Sequence, residues 1–257
     1  MTVRDLPRSV WLWLPLPIPL AAVVLGWLGN NWFPFESAER AAWSQRYAGF
    51  FLSESGIVEI STVVFLVAAL VFAVPALRRA IAGGHRLFTL WLLGLAAVTL
   101  YFAGEEISWG QQVFGWATPD WYMEATDNRQ GETNLHNINS WFNQKPRHLF
   151  MAWVFIGGIV MPLWLRRHHT GPAGTTDFWY WFWPTRVCSF MAIYAIAIRL
   201  PEWGLELSGL RPGEPLHLLF TATNYSEAQE YGYAVFLFLY FASAALRLRS
   251  VAEVGSR

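Results

Sequence analysis

The chain has 257 residues, of which 54% are hydrophobic, 17% are aromatic and only 14% are charged. Charged residues make up about 25% of a typical soluble domain, so this composition excludes an ordinary soluble surface. The richness in Trp, Phe and Leu excludes intrinsic disorder, and a formal net charge of zero gives no reason to expect a nucleic-acid partner. The composition therefore predicts an all-α, polytopic membrane protein.

Six stretches are apolar and long enough, or nearly so, to cross a hydrocarbon core that needs about 20 helical residues. In chain order they are residues 10–32, 56–77, 87–104, 148–165, 187–203 and 227–246. The fifth stretch is short and is interrupted by Arg199. We therefore expect a single transmembrane domain of about six helices over residues 1–257.

The first stretch has two features that bear on whether it stays in the protein. Like the apolar region of a signal peptide, it follows basic residues. However, it contains Pro15, Pro17 and Pro19, and no small-residue cleavage site follows it. We expect a retained anchor helix.

Arginines at the helix ends predict the orientation. If the N-terminus is cytoplasmic, 11 of the 18 basic residues lie on the cytoplasmic side, near the helix ends where the positive-inside rule applies. They are Arg4, Arg8, Arg78, Arg79, Arg86, Arg166, Arg167, Arg186, Arg247, Arg249 and Arg257. Of the 18 acidic residues, only Asp5, Asp177 and Glu253 lie there. The sequence predicts cytoplasmic N and C termini and an acidic outer face.

Two outer segments are too long for simple connections. Residues 33–55 mix aromatic and charged side chains, which is typical of an interfacial helix. Residues 105–147 form a long outer loop, and long ordered loops are often functional. In that loop, Thr118 and Pro119 have the pattern of a helix start. On the inner side, the aromatic run 178–183 suits the lipid headgroup region.

Carboxylates and one histidine gather at the outer ends of different predicted elements. They are Glu59, the adjacent Glu105 and Glu106, Glu132 with His136, and Glu227 with Glu230. Because residues three or four apart share a helical face, each of the last two pairs can present both side chains to one point. Ionisable groups at membrane depth usually face a bundle interior or a water-filled cavity. The pattern therefore predicts one polar site at the outer face.

This set of side chains suits a divalent metal ion. Clustered carboxylates repel one another, and a bound cation relieves the repulsion. Cys188 is the only cysteine, and carboxylates with imidazole suit zinc, manganese, iron or magnesium without choosing among them. Glu105 is the predicted general base. The predicted ligands of the ion or its water are Glu106, His136, Glu227 and Glu230. The predicted supporting residues are Glu59, Glu132 and Arg199, the last as a counter-charge to a carboxylate.

Each of these residues also has a structural interpretation. Glu59 could reach interfacial water, and His136 could hydrogen bond within an Asn-rich loop. Glu227 and Glu230 could be an acidic helix start favoured by the helix dipole. Adjacent helical residues point about 100° apart, so we expect at most one of Glu105 and Glu106 to face the centre.

Two families share parts of this pattern. The run from Ala103 to Gln111, with Phe114-Gly115, Thr118-Pro119 and residues 134–137 (NLHN), resembles an uncharacterised bacterial family of multi-pass membrane proteins. That resemblance implies a location in a bacterial inner membrane and no activity. The paired glutamates also resemble the CAAX-type intramembrane proteases. That family has an arginine four residues after the second glutamate, where this chain has Gly110, and its site lies near the cytoplasmic side.

Three functions remain open at this stage. The first is a metal-dependent hydrolase or group transferase acting on a membrane lipid or a lipid-linked molecule. The second is a non-catalytic scaffold or subunit that binds a protein partner through the outer loop. The third is an ion-coupled transporter, although internal repeats and midplane charges are not evident in the sequence.

Overall fold

In a computed structural model, the described residues are 5–34, 37–47, 50–51, 56–125, 131, 133, 140–168, 177–209 and 225–255. They form helices and no strand, and six helical segments are long and apolar enough to cross a membrane. These are Ser9–Gly26, Ile57–Ala82, Arg86–Glu106, Arg147–Trp164, Phe178–Ser208 and Tyr225–Glu253. The prediction of an all-α, multi-pass bundle of about six helices is confirmed.

Prolines divide the first span. A π-helical turn, Ser9–Trp13, precedes α1 (Pro17–Trp32), which begins with proline in the first turn, where no amide hydrogen is needed. The predicted interfacial segment contains α2 (Ala38–Tyr47), whose Trp43 Nε1 donates to the Leu25 carbonyl oxygen over 3.3 Å. This hydrogen bond holds α2 against α1.

A helical hairpin follows, formed by α3 (Ile57–Ala82) and α4 (Arg86–Glu106). The tight connection uses Gly84 at a φ of 72°, a conformation that glycine adopts without strain. The outward faces of both helices are apolar and exposed. Their exposed side chains include Val64, Val67, Val71, Leu90, Leu93 and Leu100. Faces of this kind suit contact with lipid chains.

Short helices occupy the described part of the outer loop. A 3₁₀ turn, Ser108–Gly110, leads into α5 (Gln111–Phe114), and α6 (Asp120–Ala125) starts beside the predicted Thr118-Pro119 start. The fourth span consists of α7 (Ser140–Phe155), a π-helical segment Ile156–Val160, and α8 (Met161–His168).

The fifth span is longer than predicted. It comprises α9 (Phe178–Phe182), a 3₁₀ turn Arg186–Cys188, α10 (Ser189–Ala197) and α11 (Leu200–Ser208). The breaks between these pieces interrupt the apolar periodicity, which is why the sequence predicted only residues 187–203.

A headgroup position for the aromatic run 178–183 predicts side chains that are exposed to lipid. Only part of the run is exposed in this way. Trp179 is 57% exposed, but Trp181 is 1% exposed. The Trp181 ring packs against His85 and Phe88. Trp181 therefore faces the bundle and not lipid headgroups, and the placement of the run at headgroup depth stays a prediction.

The last helix, α12 (Tyr225–Gly255), forms the core of the bundle, and residues 231–245 are all buried. A helix that is apolar on all sides packs at the centre of its fold. It runs parallel to α3, with Phe65 against Tyr231, Phe72 against Phe238, and Arg79 donating to the Ala245 carbonyl oxygen. Helices α7 and α10 cover other sides of α12.

We call the end of the bundle that carries Glu59, Glu106 and Glu230 the acidic end, and the end that carries Arg79 and Arg247 the basic end. Thr185 Oγ1 donates to Asp5 over 2.7 Å and lies 3.4 Å from Ser243 Oγ. The N-terminal segment and the second half of α12 therefore meet at the basic end, as an even number of spans requires. The orientation in the membrane stays a prediction from the arginines.

Candidate metal site at the acidic end

Three glutamates from two helices converge at the acidic end. Glu106 is in the last turn of α4, and Glu227 and Glu230 lie one turn apart at the start of α12. One carboxylate oxygen from each lies within 4.8 Å of the others, and all three residues are half-buried. We call these residues the glutamate trio.

A fourth carboxylate lies close to the trio. Glu59, in the first turn of α3, is 8% exposed. Glu106 is near enough to Glu230, Glu227 and Glu59 for electrostatic repulsion. The parallel packing of α3 with α12 and its hairpin with α4 bring these three helix ends together.

Arg147 supplies positive charge beside the trio. It lies on α7, and its Nη1 is 3.6 Å from Glu230 Oε1. Its Nη2 donates to Ser226 Oγ and to Gln229 Oε1, each over 2.9 Å, and Gln229 Nε2 donates to the Ala195 carbonyl oxygen over 2.9 Å. Arg147 therefore connects α7 to α12 and, through Gln229, to α10.

The geometry of the trio fits one divalent cation. Two oxygens bound to a metal at about 2.1 Å lie no more than about 4.2 Å apart, so small side-chain movements would close the site. Without a cation or a proton, two charged carboxylates at this separation repel by about 3 kcal/mol at an effective dielectric constant of about 20. Three glutamates, a divalent cation and Arg147 together have zero net charge. The donor set is all oxygen and does not distinguish magnesium, manganese, calcium or zinc.

Arg147→Gln is expected to make stability depend more strongly on metal. In chelator, we expect the free energy of unfolding to fall by about 2 kcal/mol, because Glu230 loses its partner in a partly exposed ion pair. Added metal should stabilise the variant more than the wild type, since the cation replaces the lost charge. Chemical denaturation with and without metal measures both effects.

The control for this variant is Arg249→Gln. Arg249 forms an exposed ion pair with Glu253 over 2.8 Å at the basic end, and its loss should change stability by less than about 1 kcal/mol. Equal responses of the two variants to metal would contradict the assignment of Arg147 to the trio.

Glu105 is separated from the trio and interacts with the outer loop. Its carboxylate accepts a hydrogen bond from Trp109 Nε1, and the phenol of Tyr101 is also within hydrogen-bonding range. Burial raises the pKa of Tyr122 in α6, and the nearby charge of Glu105 raises it further. The expectation that only one of the adjacent glutamates faces the centre agrees with this placement. The role of Glu105 as general base stays a prediction.

The turn after Glu106 has unusual backbone geometry. Ser108 and Trp109 both have positive φ, 46° and 53°, which is rare outside glycine. The Trp109 ring lies over Gly104, where an added Cβ would come within 2.9 Å of the ring. Glu105 therefore holds a strained turn directly beside the trio.

Substitutions at Glu105 can distinguish its role as a hydrogen-bond acceptor for Trp109 and Tyr101 from a role in metal binding. We expect Glu105→Ala to cost about 1–3 kcal/mol of stability, because Trp109 and Tyr101 lose a buried acceptor. Glu105→Gln keeps one acceptor oxygen and should cost less. Neither change should lower metal content if Glu105 lies outside the metal site. Loss of metal with retained stability in Glu105→Gln would contradict that placement.

His136, a predicted ligand, and Glu132, a predicted supporting residue, lie outside the described residues. Of their neighbours, Gly131 accepts from Gln111 Nε2 over 3.1 Å, and the Thr133 amide donates to Gln111 Oε1 over 2.7 Å. Gln111, the first residue of α5, thus fixes this part of the outer loop near the end of α4. The predicted roles of Glu132 and His136 stay predictions.

Arg199 forms its ion pair away from the trio. Its Nε lies 3.0 Å from Glu202 Oε2, three residues along the chain. The expected pairing with a carboxylate is present, but Arg147 is the arginine that contacts a trio glutamate. The sequence analysis missed Arg147. Most arginines at helix ends lie on the predicted cytoplasmic side, so an arginine at the outer end of the fourth span could have indicated a carboxylate partner.

Comparisons with protein-family models, with curated proteins and with solved structures found no match. A proposal for the function therefore depends on the sequence and on the geometry of the acidic end.

Proposed function

We propose that this protein is a metal-dependent hydrolase or group transferase of a bacterial inner membrane, acting on a membrane lipid or lipid-linked molecule at the non-cytoplasmic face. The observation that carries the proposal is the convergence of Glu106, Glu227 and Glu230 within 4.8 Å. These residues would hold the ion, with His136 as a further predicted ligand.

The charges around the trio suit hydrolysis or group transfer. A bound divalent cation would polarise a substrate oxygen and lower the pKa of a bound water. Glu105 is the predicted general base, and Glu59, within electrostatic range of Glu106, is a second candidate to accept the proton of an attacking water. Arg147 neutralises Glu230 and fixes the position of α7 against the start of α12.

The surroundings of the site favour a lipid substrate. The trio lies at the ends of two membrane-spanning helices, and one of them, α4, has an apolar outer face, so a lipid headgroup would reach the trio without leaving the membrane surface. Exposed tryptophans of the outer loop, Trp109, Trp116 and Trp121, suit the headgroup region. A soluble substrate would have no need of this setting.

Metal analysis of the purified full-length protein tests the proposal. We expect about one equivalent of a divalent metal per chain, removed by dialysis against chelator and restored by the same ion. A protein that never takes up metal at neutral pH would contradict the proposal and favour a scaffold. Metal-dependent ion flux in liposomes, without turnover of lipid, would favour a transporter.

A further inference from the structure

The phenol of Tyr233 is buried without a hydrogen-bond partner. The residue is 3% exposed, and within the described part of the chain its hydroxyl has no hydrogen-bond partner. Tyr233 lies one helical turn deeper than Glu230 on α12. Its ring packs edge to face against Phe150, one turn deeper than Arg147 on α7. The hydroxyl is therefore next to the metal site.

Two arginines and one glutamate lie within electrostatic range of this phenol. They are Arg147, Arg199 and Glu230. The Arg199 Nε is also buried, and its short contact with Glu202 lacks hydrogen-bond geometry, so this nitrogen has no hydrogen-bond acceptor among the described residues. The Tyr233 hydroxyl and the Arg199 Nε are thus two buried donors in the same region, and each arginine there also has one carboxylate close by, Glu230 for Arg147 and Glu202 for Arg199.

The chemistry of these groups matches an anion with several oxygens. A guanidinium group has donors and no acceptor, and a phenol can donate its hydrogen. Buried donors are almost always paired, so a phenol without a partner, near a guanidinium nitrogen whose ion pair lacks hydrogen-bond geometry, indicates a ligand that supplies acceptors. Phosphate has several acceptor oxygens and forms strong charge-assisted hydrogen bonds with arginine.

We propose that Tyr233 and Arg199, with the charge of Arg147 nearby, bind a phosphate group beside the glutamate trio. This inference rests on the proposed function and narrows its substrate to a phosphate-bearing lipid. The phosphate would lie one helical turn below the trio, and the bond to be broken would lie near the ion. A free phosphate released by hydrolysis would have the same recognition chemistry.

The test is binding of phosphatidic acid and of diacylglycerol with the same acyl chains to the full-length protein in detergent, with chelator present. We expect phosphatidic acid to bind at least about 10-fold more tightly than diacylglycerol. Tyr233→Phe and Arg199→Gln should each weaken phosphatidic acid binding about 10-fold. Arg249→Gln, the control far from the site, should leave it unchanged. Native mass spectrometry gives the affinities.

Stability measurements separate binding from folding. Tyr233→Phe removes an unsatisfied hydroxyl, so without lipid it should be at least as stable as the wild type. Equal binding of the two lipids, or wild-type binding by both variants, would overturn the inference and assign the phenol to ordered water. An unliganded Tyr233→Phe protein that is clearly less stable would also overturn it.

Inorganic phosphate identifies the source of the group. Displacement of phosphatidic acid by inorganic phosphate, with the same dependence on Tyr233 and Arg199, supports phosphate recognition with free phosphate as a ligand. Binding of phosphatidic acid alone supports the lipid headgroup. A protein that shows these effects but takes up no metal would contradict the proposed function only. A metal-loaded protein without them would contradict this inference only.

Discussion

Glu106→Gln is expected to weaken metal binding by about 100-fold or more. Glu106 is the only trio residue from α4, so its loss leaves both remaining ligands on one helix. Substituting a residue that only hydrogen bonds to a metal ligand typically lowers metal affinity 10–100-fold, so the loss of a direct ligand should lower it at least as much. Competition with a chromogenic chelator measures the affinity, and lipid turnover should fall in parallel.

Glu206→Gln is the matched control for this variant. Glu206 is an exposed glutamate on α11 and is not one of the trio, so metal binding should be unchanged. If Glu106→Gln and Glu206→Gln bind metal equally well, the trio is not a metal site. Retained folding of Glu106→Gln, measured by circular dichroism, ensures that lost binding is not lost structure.

Gly158→Val is expected to prevent normal packing of the bundle. A Cβ atom at Gly158 would overlap Ala192 Cβ on α10 and lie 2.9 Å from the Phe236 ring on α12. Small residues let membrane helices approach closely, and forcing extra atoms into a packed interface costs about 1–3 kcal/mol or more. Because Phe236 is fully buried, it has little room to move. We expect a large loss of folded protein, measured by monodispersity after solubilisation.

Alanine substitutions give a graded comparison. Gly158→Ala should destabilise by a smaller amount than Gly158→Val, since only one atom is added. Gly94→Ala, at an exposed position of α4 with no atom within 4 Å of the added Cβ, should stabilise the helix by up to about 1 kcal/mol. Equal behaviour of Gly158→Ala and Gly94→Ala would show that the π-helical segment of the fourth span and α10 are not in close contact.

The membrane spans and the acidic end could be predicted because the depth of a residue in the membrane follows from its position along the chain. An apolar stretch must be about 20 residues long to cross a membrane, so its ends give the depth of each flanking residue. Glu106 and Glu230 were placed at the same depth in this way. The fifth span was predicted too short because Arg199 and the breaks near Pro184 interrupt its apolar pattern, whereas packing in the bundle supports a longer segment.

The direction in which each side chain points around its helix could not be read from the sequence in the same way. Glu106 faces Glu227 and Glu230, whereas Glu105 faces Trp109. The sequence predicted only that the side chains of Glu105 and Glu106 would point in different directions. Arg147, rather than Arg199, contacts Glu230 because α7 packs beside α12. Rotation about a helix axis is set by interhelical contacts such as those at Gly158, and these join residues far apart in the chain.

The sequence by itself thus determined that this is a multi-pass helical membrane protein with acidic residues gathered at one end. The tertiary structure decided which of those residues meet: three glutamates, one of which pairs with Arg147. The physical reason is that hydrophobic length fixes depth residue by residue, whereas packing between helices fixes direction and proximity. Depth brought the candidates to one level of the membrane, and packing brought Glu106, Glu227 and Glu230 within reach of one ion.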